Sequence, residues 1–368
     1  MYGTMAIKTD RKQKLAVGIL GATGMVGQRF ISLLENHPWF RVAAVAASKN
    51  SAGKSYADAV KGRWTHETPI PSHVKDLIVR SVDDVAVIKS QVDFVFSSVD
   101  MGKDEIRALE ELYASNDIPV VSNNSAHRWT EDVPMIMPEI NPHHLAMIPI
   151  QQKNRGWKKG FIAVKPNCSI QSFIPAIEAL RQFEPRQVAV TTLQAISGAG
   201  KTFKTMPEII DNVIPYIVGE EEKSEKEPMK IWAQIENGAF KLATTPVISA
   251  NCIRVPVTDG HMATINVSFA KNPTRADIIA AFRNFKSPLE GLGLPSAPEK
   301  FLTYFEEENR PQTKLDRDIG RGMGISIGRL RADPVLSWKF VALSHNTIRG
   351  AAGGAILVAE LLAAKGYL

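Results

Sequence analysis

Over its first third the chain alternates between short apolar runs and amphipathic stretches. Residues 15–21 are apolar and end in glycine, as suits a strand buried on both faces of a parallel sheet. A helical pattern covers residues 24–36 and stops before Pro38, and residues 41–47 form a second strand-like run. Together these make one βαβ unit of about 30 residues. The alternation continues with a strand at 92–99, a helix at 103–114 and a strand at 119–122. That order predicts an α/β fold with a Rossmann-type, doubly wound nucleotide-binding domain.

The pattern changes near residues 150–160, which are polar, basic and glycine-bearing and read as a loop or domain boundary. Beyond them the sequence predicts a strand at 161–164, a helix at 169–183 and a long strand at 187–196. Residues 247–255 and 262–270 alternate as antiparallel strands do, and 324–330 and 339–343 read likewise. The second domain is therefore expected to be mixed α+β. A last helix at 347–364 carries Gly and Ala along one side and is expected to pack closely against another element.

Composition narrows the class. The 368 residues are too many for one core. A hydrophobic content of 44% and a charged content of 22% are ordinary for globular domains, which excludes disordered and collagenous chains. The longest apolar run, residues 351–364, holds Gly353, Gly354 and Glu360 and reads as a soluble helix, so no membrane partner is expected. With 44 Lys and Arg against 38 Asp and Glu the net charge is +6. No basic block stands out, so an anionic small molecule accounts for the balance better than nucleic acid. Only Cys168 and Cys252 are present, which excludes a disulfide framework and points to a reducing compartment. The N-terminus lacks a hydrophobic secretory segment. Lys8, Arg11, Lys12 and Lys14 resemble a weak transit peptide, but Asp10 interrupts them and serine is absent, leaving the cytoplasm as the expected location.

Four places could carry chemistry. Gly21, Gly24 and Gly27 lie between a predicted strand and a predicted helix, where backbone N–H groups and the helix dipole attract a pyrophosphate; the plainer reading is a turn for close packing. After the second strand, Ser48, Lys49, Ser51 and Lys54 stand where an NAD enzyme carries an acidic residue, so a 2′-phosphate is expected, against an ordinary polar turn. Cys168 follows Pro166 and Asn167 at a predicted helix start, where the dipole would favour thiolate; Cys252 reads as structural. His261, after Gly260, is a candidate base, and Arg254 in an apolar strand needs an anion or a carboxylate to explain it.

Taken together, these residues resemble a known family. To them are added residues 122–128 (SNNSAHR), 132–134 (DVP), 138–141 (PEIN), 194–200 (QAISGAG) and 346–353 (NTIRGAAG). The set looks like aspartate-semialdehyde dehydrogenase, especially its archaeal and fungal branch, from about residue 14 to the C-terminus. The resemblance implies a glyceraldehyde-3-phosphate dehydrogenase-like architecture. Residues 14–160 plus 345–368 would form the NADP-binding domain, with a returning C-terminal helix, and 161–344 the catalytic and oligomerisation domain. It implies conversion of L-aspartyl 4-phosphate and NADPH to L-aspartate 4-semialdehyde, NADP+ and inorganic phosphate, towards threonine, methionine and, in some organisms, lysine. No metal is implied, and a homodimer or homotetramer is.

Carried over by resemblance, Cys168 is the nucleophile, His261 the acid/base and Gln194 the residue orienting the acyl group, with Asn167 on the substrate side. Arg254 holds the substrate carboxylate, Glu220 faces its ammonium, and Arg128 and Lys223 hold phosphate. Glu220, Glu221 and Glu222 are consecutive, and the three-residue spacing to Lys223 favours Glu220; a solvated face is the plainer reading of that run. The cofactor side takes Gly21, Thr23, Gly24, Met25, Val26 and Gly27 at the pyrophosphate, Ser48 and Ser51 at the adenosine phosphate, and Ser97, Ser98, Ser197, Gly198 and Asn346 near the nicotinamide. The rivals are an N-acetyl-glutamyl-phosphate reductase-like enzyme, disfavoured by Arg254 and the glutamates, and a non-catalytic dinucleotide sensor, disfavoured by the presence of both Cys168 and His261.

Overall fold

The computed structural model describes residues 13–66 and 68–368, so Lys8, Arg11 and Lys12 lie outside the described residues. Six short strands form the first sheet: β1 (Leu15–Leu20), β2 (Phe40–Ala47), β3 (Arg80–Ser81), β4 (Phe94–Ser97), β5 (Val120–Ser122) and β6 (Ile162–Val164). They are parallel and ordered β3-β2-β1-β4-β5-β6, the arrangement of dinucleotide-binding folds. Their apolar runs have a simple cause, since helices cover both faces and every position of β4, β5 and β6 is buried. β6, expected in the second domain, is thus the sixth strand of the first sheet.

The strand order reverses between β1 and β4, where Leu20 pairs with Ser97. A crevice therefore opens beyond the carboxyl ends of those two strands. Gly21 leaves β1 at φ 82°, and a Cβ there would lie 2.4 Å from the Ser98 carbonyl. At Gly27, in the helix Met25–Leu33, a Cβ would lie 2.2 Å from the Gly21 carbonyl. Gly27→Ala should force that helix off the turn, at a cost of about 1–3 kcal/mol. Thermal unfolding and nucleotide titration should both register the change; an unaltered melting curve with unaltered affinity would contradict this packing.

The second sheet is mixed and runs β10-β7-β11-β14-β13-β12. Its strands are β7 (Pro185–Gln194), β10 (Val247–Arg254), β11 (His261–Phe269), β12 (Leu302–Tyr304), β13 (Ile325–Ala332) and β14 (Trp338–Ser344). β8 (Gln234–Glu236) and β9 (Ala239–Lys241) form a separate hairpin. β11 is antiparallel to β7, but β10 is parallel to it, so residues 247–255 and 262–270 flank β7 rather than pairing with each other. One face of β10 is buried and the other exposed, which is all that its alternation had encoded. At one end of the sheet Gln194 closes β7 beside Arg254 of β10, and Met262 pairs with Leu193, so β11 begins there with His261.

Two helical expectations change. Residues 147–155 are helical, not loop, because Gln151 is buried against the backbone of Asp132 and Ile162 and Arg155 is held by Asp132 and Glu111. Residues 169–183 break into a 3₁₀ turn Ser169–Gln171, a short helix Ile174–Ala179 and a second 3₁₀ turn Arg181–Phe183. Pro175 supplies no N–H and restricts the residue before it, and the Ser172 hydroxyl donates to the Ser169 carbonyl instead. The C-terminal helix Gly353–Ala364 is buried through Ala363 and returns to the first sheet, with Glu360 held by His37 at 2.8 Å. No helix among the described residues is long and apolar enough to cross a membrane.

Candidate active site

Cys168 sits in the turn after β6, partly exposed. Its Sγ lies 3.6 Å from Nε2 of His261. The two meet because β6 ends at the first sheet's edge while His261 opens β11 on the neighbouring sheet. Gly350 lets the segment before the C-terminal helix press against the turn; a Cβ there would lie 2.8 Å from Cys168 Cβ. The expected thiolate-stabilising helix is absent, since only a 3₁₀ turn follows the cysteine. Burial pushes the Cys168 thiol up and Glu220 adds to this, while Lys165, Arg128 and Arg254 pull it down.

His261 is fully buried, and burial together with the charge of Arg254 lowers its pKa to about 3. The Ala195 N–H donates to its Nδ1 at 3.1 Å. A neutral ring accepting at Nδ1 carries its proton on Nε2, the nitrogen that faces the sulfur. Arg254, also buried, donates to the Ala195 carbonyl at 2.6 Å and, among the described residues, forms no ion pair. Gly198 lies against both groups, where a Cβ would come within 3.1 Å of the imidazole.

The acidic run is a helix, Glu220–Ile231, with Glu220, Ser224 and Glu227 buried on one face, as positions i, i+4 and i+7 must be. Glu220 Oε1 accepts from Asn167 Nδ2 at 2.9 Å and from Lys223 Nζ at 2.7 Å, and Gln194 Nε2 approaches Oε2 at 3.4 Å. Burial alone would raise Glu220, but the charge and hydrogen bond of Lys223, with the Asn167 amide, hold its carboxyl below the usual range. Glu222 points away and pairs with Lys226, and Glu221 accepts from the Cys252 N–H. Glu220 is therefore the glutamate of the three that faces the site. Arg128 is buried and bound at 2.8 Å to Glu227, whose second oxygen accepts the Asn167 N–H at 2.7 Å.

On the crevice side, Ser97 accepts from Asn124 and Ser98 donates to the Leu20 carbonyl, fixing the floor beside Gly21. Gly24 caps the helix Met25–Leu33, with Thr23, Met25 and Val26 partly buried around that N-terminus. Asn346 joins the two domains' contributions, accepting from Gly260 N–H at 2.7 Å and donating to Ser197 Oγ at 2.8 Å. Beyond β2, Ser48 is exposed whereas Ser51 is only 6% exposed, so Ser48 is the hydroxyl open to a ligand. The crevice thus fits a dinucleotide: a close-approach glycine turn, a helix N-terminus and no acidic residue after β2.

Residues 16–148 match the family model described as semialdehyde dehydrogenase, NAD binding domain, and residues 175–349 match its dimerisation domain. Aspartate-semialdehyde dehydrogenase of Archaeoglobus fulgidus is 43% identical over 95% of this chain and 98% of its own. The Aspergillus fumigatus enzyme is 42% identical over 96% and 99%. This chain belongs to the aspartate-semialdehyde dehydrogenase family. Among solved members, the Candida albicans enzyme with NADP superimposes with a TM-score of 0.86 at 37% identity, covering 97% of this chain and all 100% of that one.

Within this family setting, three buried groups escaped the sequence reading. Lys165 ends the apolar run of β6, as anomalous there as Arg254 is in β10. Glu227 is one helical repeat from Glu220. Arg349 is buried and paired with Glu139, with Gln171 accepting at 3.0 Å. The odd charge in an apolar run was the signal available for Lys165, and i+7 spacing was the signal for Glu227.

Proposed function

We propose that the protein reduces L-aspartyl 4-phosphate to L-aspartate 4-semialdehyde with NADPH, reversibly, through a thioacyl group on Cys168. It would then serve synthesis of threonine, methionine and, in some organisms, lysine. The observation that carries this reading is Cys168 at 3.6 Å from the proton-bearing Nε2 of His261, beside Arg254, which among the described residues forms no ion pair. Sulfur attacks the acyl phosphate carbon, the carbon–oxygen bond to phosphate breaks, and a thioester remains. NADPH, when bound, supplies the hydride that a thioester accepts more readily than a carboxylate does. His261 donates a hydrogen bond from its Nε2–H to the hemithioacetal oxyanion and then to the departing thiolate, keeping its own proton, so that collapse of the alkoxide gives the aldehyde and Cys168 thiolate. Arg254 takes the substrate carboxylate through its free guanidinium edge. Glu220 takes the ammonium, and Gln194 and Asn167 hold the acyl group and that carboxylate in place. Lys223 meets phosphate, with Arg128 lending charge from its pair with Glu227.

We further propose that residues 14–160 and 345–368 form the cofactor domain, extended past Val164 to keep β6. The exposed faces of β7 and β10, with Ile210, Val213, Tyr216 and Val218 exposed nearby, support a homodimer or homotetramer. The two-cysteine composition, which points to a reducing compartment, supports a cytoplasmic site of action. The deciding assay is NADP+ reduction with aspartate semialdehyde and phosphate, set against N-acetylglutamate semialdehyde. Faster reduction with the acetylated aldehyde would overturn the proposal.

Cofactor choice gives a smaller test. Ser48→Asp puts a negative charge against the 2′-phosphate and should cut the preference for NADPH over NADH about tenfold, an exposed position being screened. Specificity constants for both nucleotides at one ionic strength measure it. An unchanged ratio would remove Ser48 from the cofactor site.

A further inference from the structure

Cys168 has no α-helix to hold it, since only a 3₁₀ turn follows. The turn is held by its neighbours instead. Asn167 Oδ1 accepts from the Ser169 N–H at 2.7 Å and from Ser169 Oγ at 2.8 Å, which closes residues 167–169 on themselves with Cys168 between. Successive turns of the helix Glu220–Ile231 then grip this unit. Asn167 Nδ2 donates to Glu220 Oε1 at 2.9 Å, Ser224 Oγ lies 3.1 Å from Ser169 Oγ, and the Asn167 N–H donates to Glu227 Oε2 at 2.7 Å. Of these three helix residues, Glu227 is the one that holds the backbone of the turn. Its other oxygen serves a different group, accepting from Arg128 Nη1 at 2.8 Å. Arg128 Nε donates to the Lys165 carbonyl at 3.1 Å, and Lys230 Nζ donates to the Arg128 carbonyl at 2.7 Å. Glu227, Arg128 and Asn167 are all buried.

We propose that Glu227 is a positioning residue, one carboxylate that ties the backbone of the Cys168 turn to the guanidinium of Arg128, so that the nucleophile and the phosphate cation keep a fixed relation. A carboxylate suits the task because it only accepts hydrogen bonds and has two oxygens to offer. A buried N–H and a buried guanidinium each need an acceptor, and leaving either without one is costly. An ion pair that served stability alone could spend its second oxygen on any donor within reach. Here that oxygen is spent on the residue that precedes the nucleophile. Glu220 and Lys223, proposed for the substrate ammonium and phosphate, stand on the same helix two turns and one turn earlier. The helix therefore carries substrate contacts and the support of the nucleophile in one rigid piece. Attack on the acyl carbon needs sulfur and carbon held about 3–3.5 Å apart in the right direction, and that depends on where the turn is fixed relative to the phosphate end of the substrate.

This inference rests on the reaction proposed above, and its test reads the contact and the reaction separately. Full-length protein carrying Arg128→Met with either Glu227→Gln or Glu227→Leu is compared with the parent. Changing both partners leaves neither charge buried alone, and such replacement of a buried pair ordinarily permits folding, which melting curves confirm. The glutamine oxygen still accepts the Asn167 N–H, whereas leucine cannot. By mass-detected hydrogen exchange, the Asn167 amide should therefore exchange about tenfold faster in the leucine protein than in the glutamine protein. In NADP+ reduction with aspartate semialdehyde and phosphate, kcat should be about tenfold or more lower with leucine than with glutamine, because a misplaced nucleophile costs rate. Both proteins lack the guanidinium, so both should raise KM for inorganic phosphate about tenfold, with KM for NADP+ near the parent value. Equal kcat in the two, equal exchange of Asn167, or a parental KM for phosphate in both overturns the proposal. Should the parent itself leave NADP+ unreduced, the proposed reaction falls, and the exchange difference alone decides whether Glu227 holds the Cys168 turn.

Discussion

Cys168→Ala is expected to lower turnover about 10⁴-fold or more, the scale seen when a covalent nucleophile is removed, while NADPH binds as before. The two effects separate because the groups do. Gly21, Gly27, Ser97 and Ser98 build the crevice from β1, β4 and the helix after them, without the Cys168 side chain. The sulfur belongs to the turn after β6 and reaches towards His261 on the other sheet. A single-turnover assay with aspartyl phosphate, beside a fluorescence titration of NADPH, reads both. Activity near the parent level in a preparation free of wild-type enzyme would end the covalent mechanism. Cys252→Ala is the internal comparison. Its sulfur is buried on β10, 3.6 Å from Ser224 Oγ, and burial pushes its thiol up. It should cost no more than about 1 kcal/mol of stability and leave turnover within a few-fold of the parent.

The first sheet was legible because a parallel sheet covered on both faces writes itself as unbroken apolar runs, and Gly21 and Gly27 mark where backbones must touch. The limits elsewhere have physical causes. The alternation in β10 reports one buried face and carries no information about the direction of its neighbour, so its parallel pairing with β7 was hidden. Residues 151–155 read as loop because their polar side chains look solvated. The carboxylates, carbonyls and N–H that hold Gln151 and Arg155 come from residues 111, 132 and 162. The glutamate run illustrates the same limit. Its charges suggest solvent, yet Glu220 and Glu227 are buried because Lys223, Asn167 and Arg128 meet them. Cys168 and His261, picked out separately in the sequence, lie 3.6 Å apart, but the tautomer of His261 depends on the Ala195 N–H, a backbone contact that no motif encodes.

Arg254→Leu is expected to weaken the substrate far more than the cofactor, by about 2–4 kcal/mol or roughly 30- to 1000-fold in kcat/KM. A guanidinium has five donors, and among the described residues Arg254 commits one nitrogen to the Ala195 carbonyl at 2.6 Å. Burial opposes its charge, while the Cys168 and Glu220 charges support it. A buried cation with most of its edge uncommitted among the described residues suits the proposed role of taking the substrate carboxylate beside Cys168. The same contact has a second consequence, because Ala195 also sets the proton position on His261. Leucine should therefore lower kcat modestly as well as raising KM for aspartate semialdehyde. Arg254→Lys separates the two roles. It can keep a bond to the Ala195 carbonyl but offers a point charge instead of a planar fork, so kcat should recover more than KM does. The KM for NADP+ should stay near the parent value in both variants. Equal losses for substrate and cofactor would make Arg254 a structural arginine that merely braces the end of β10.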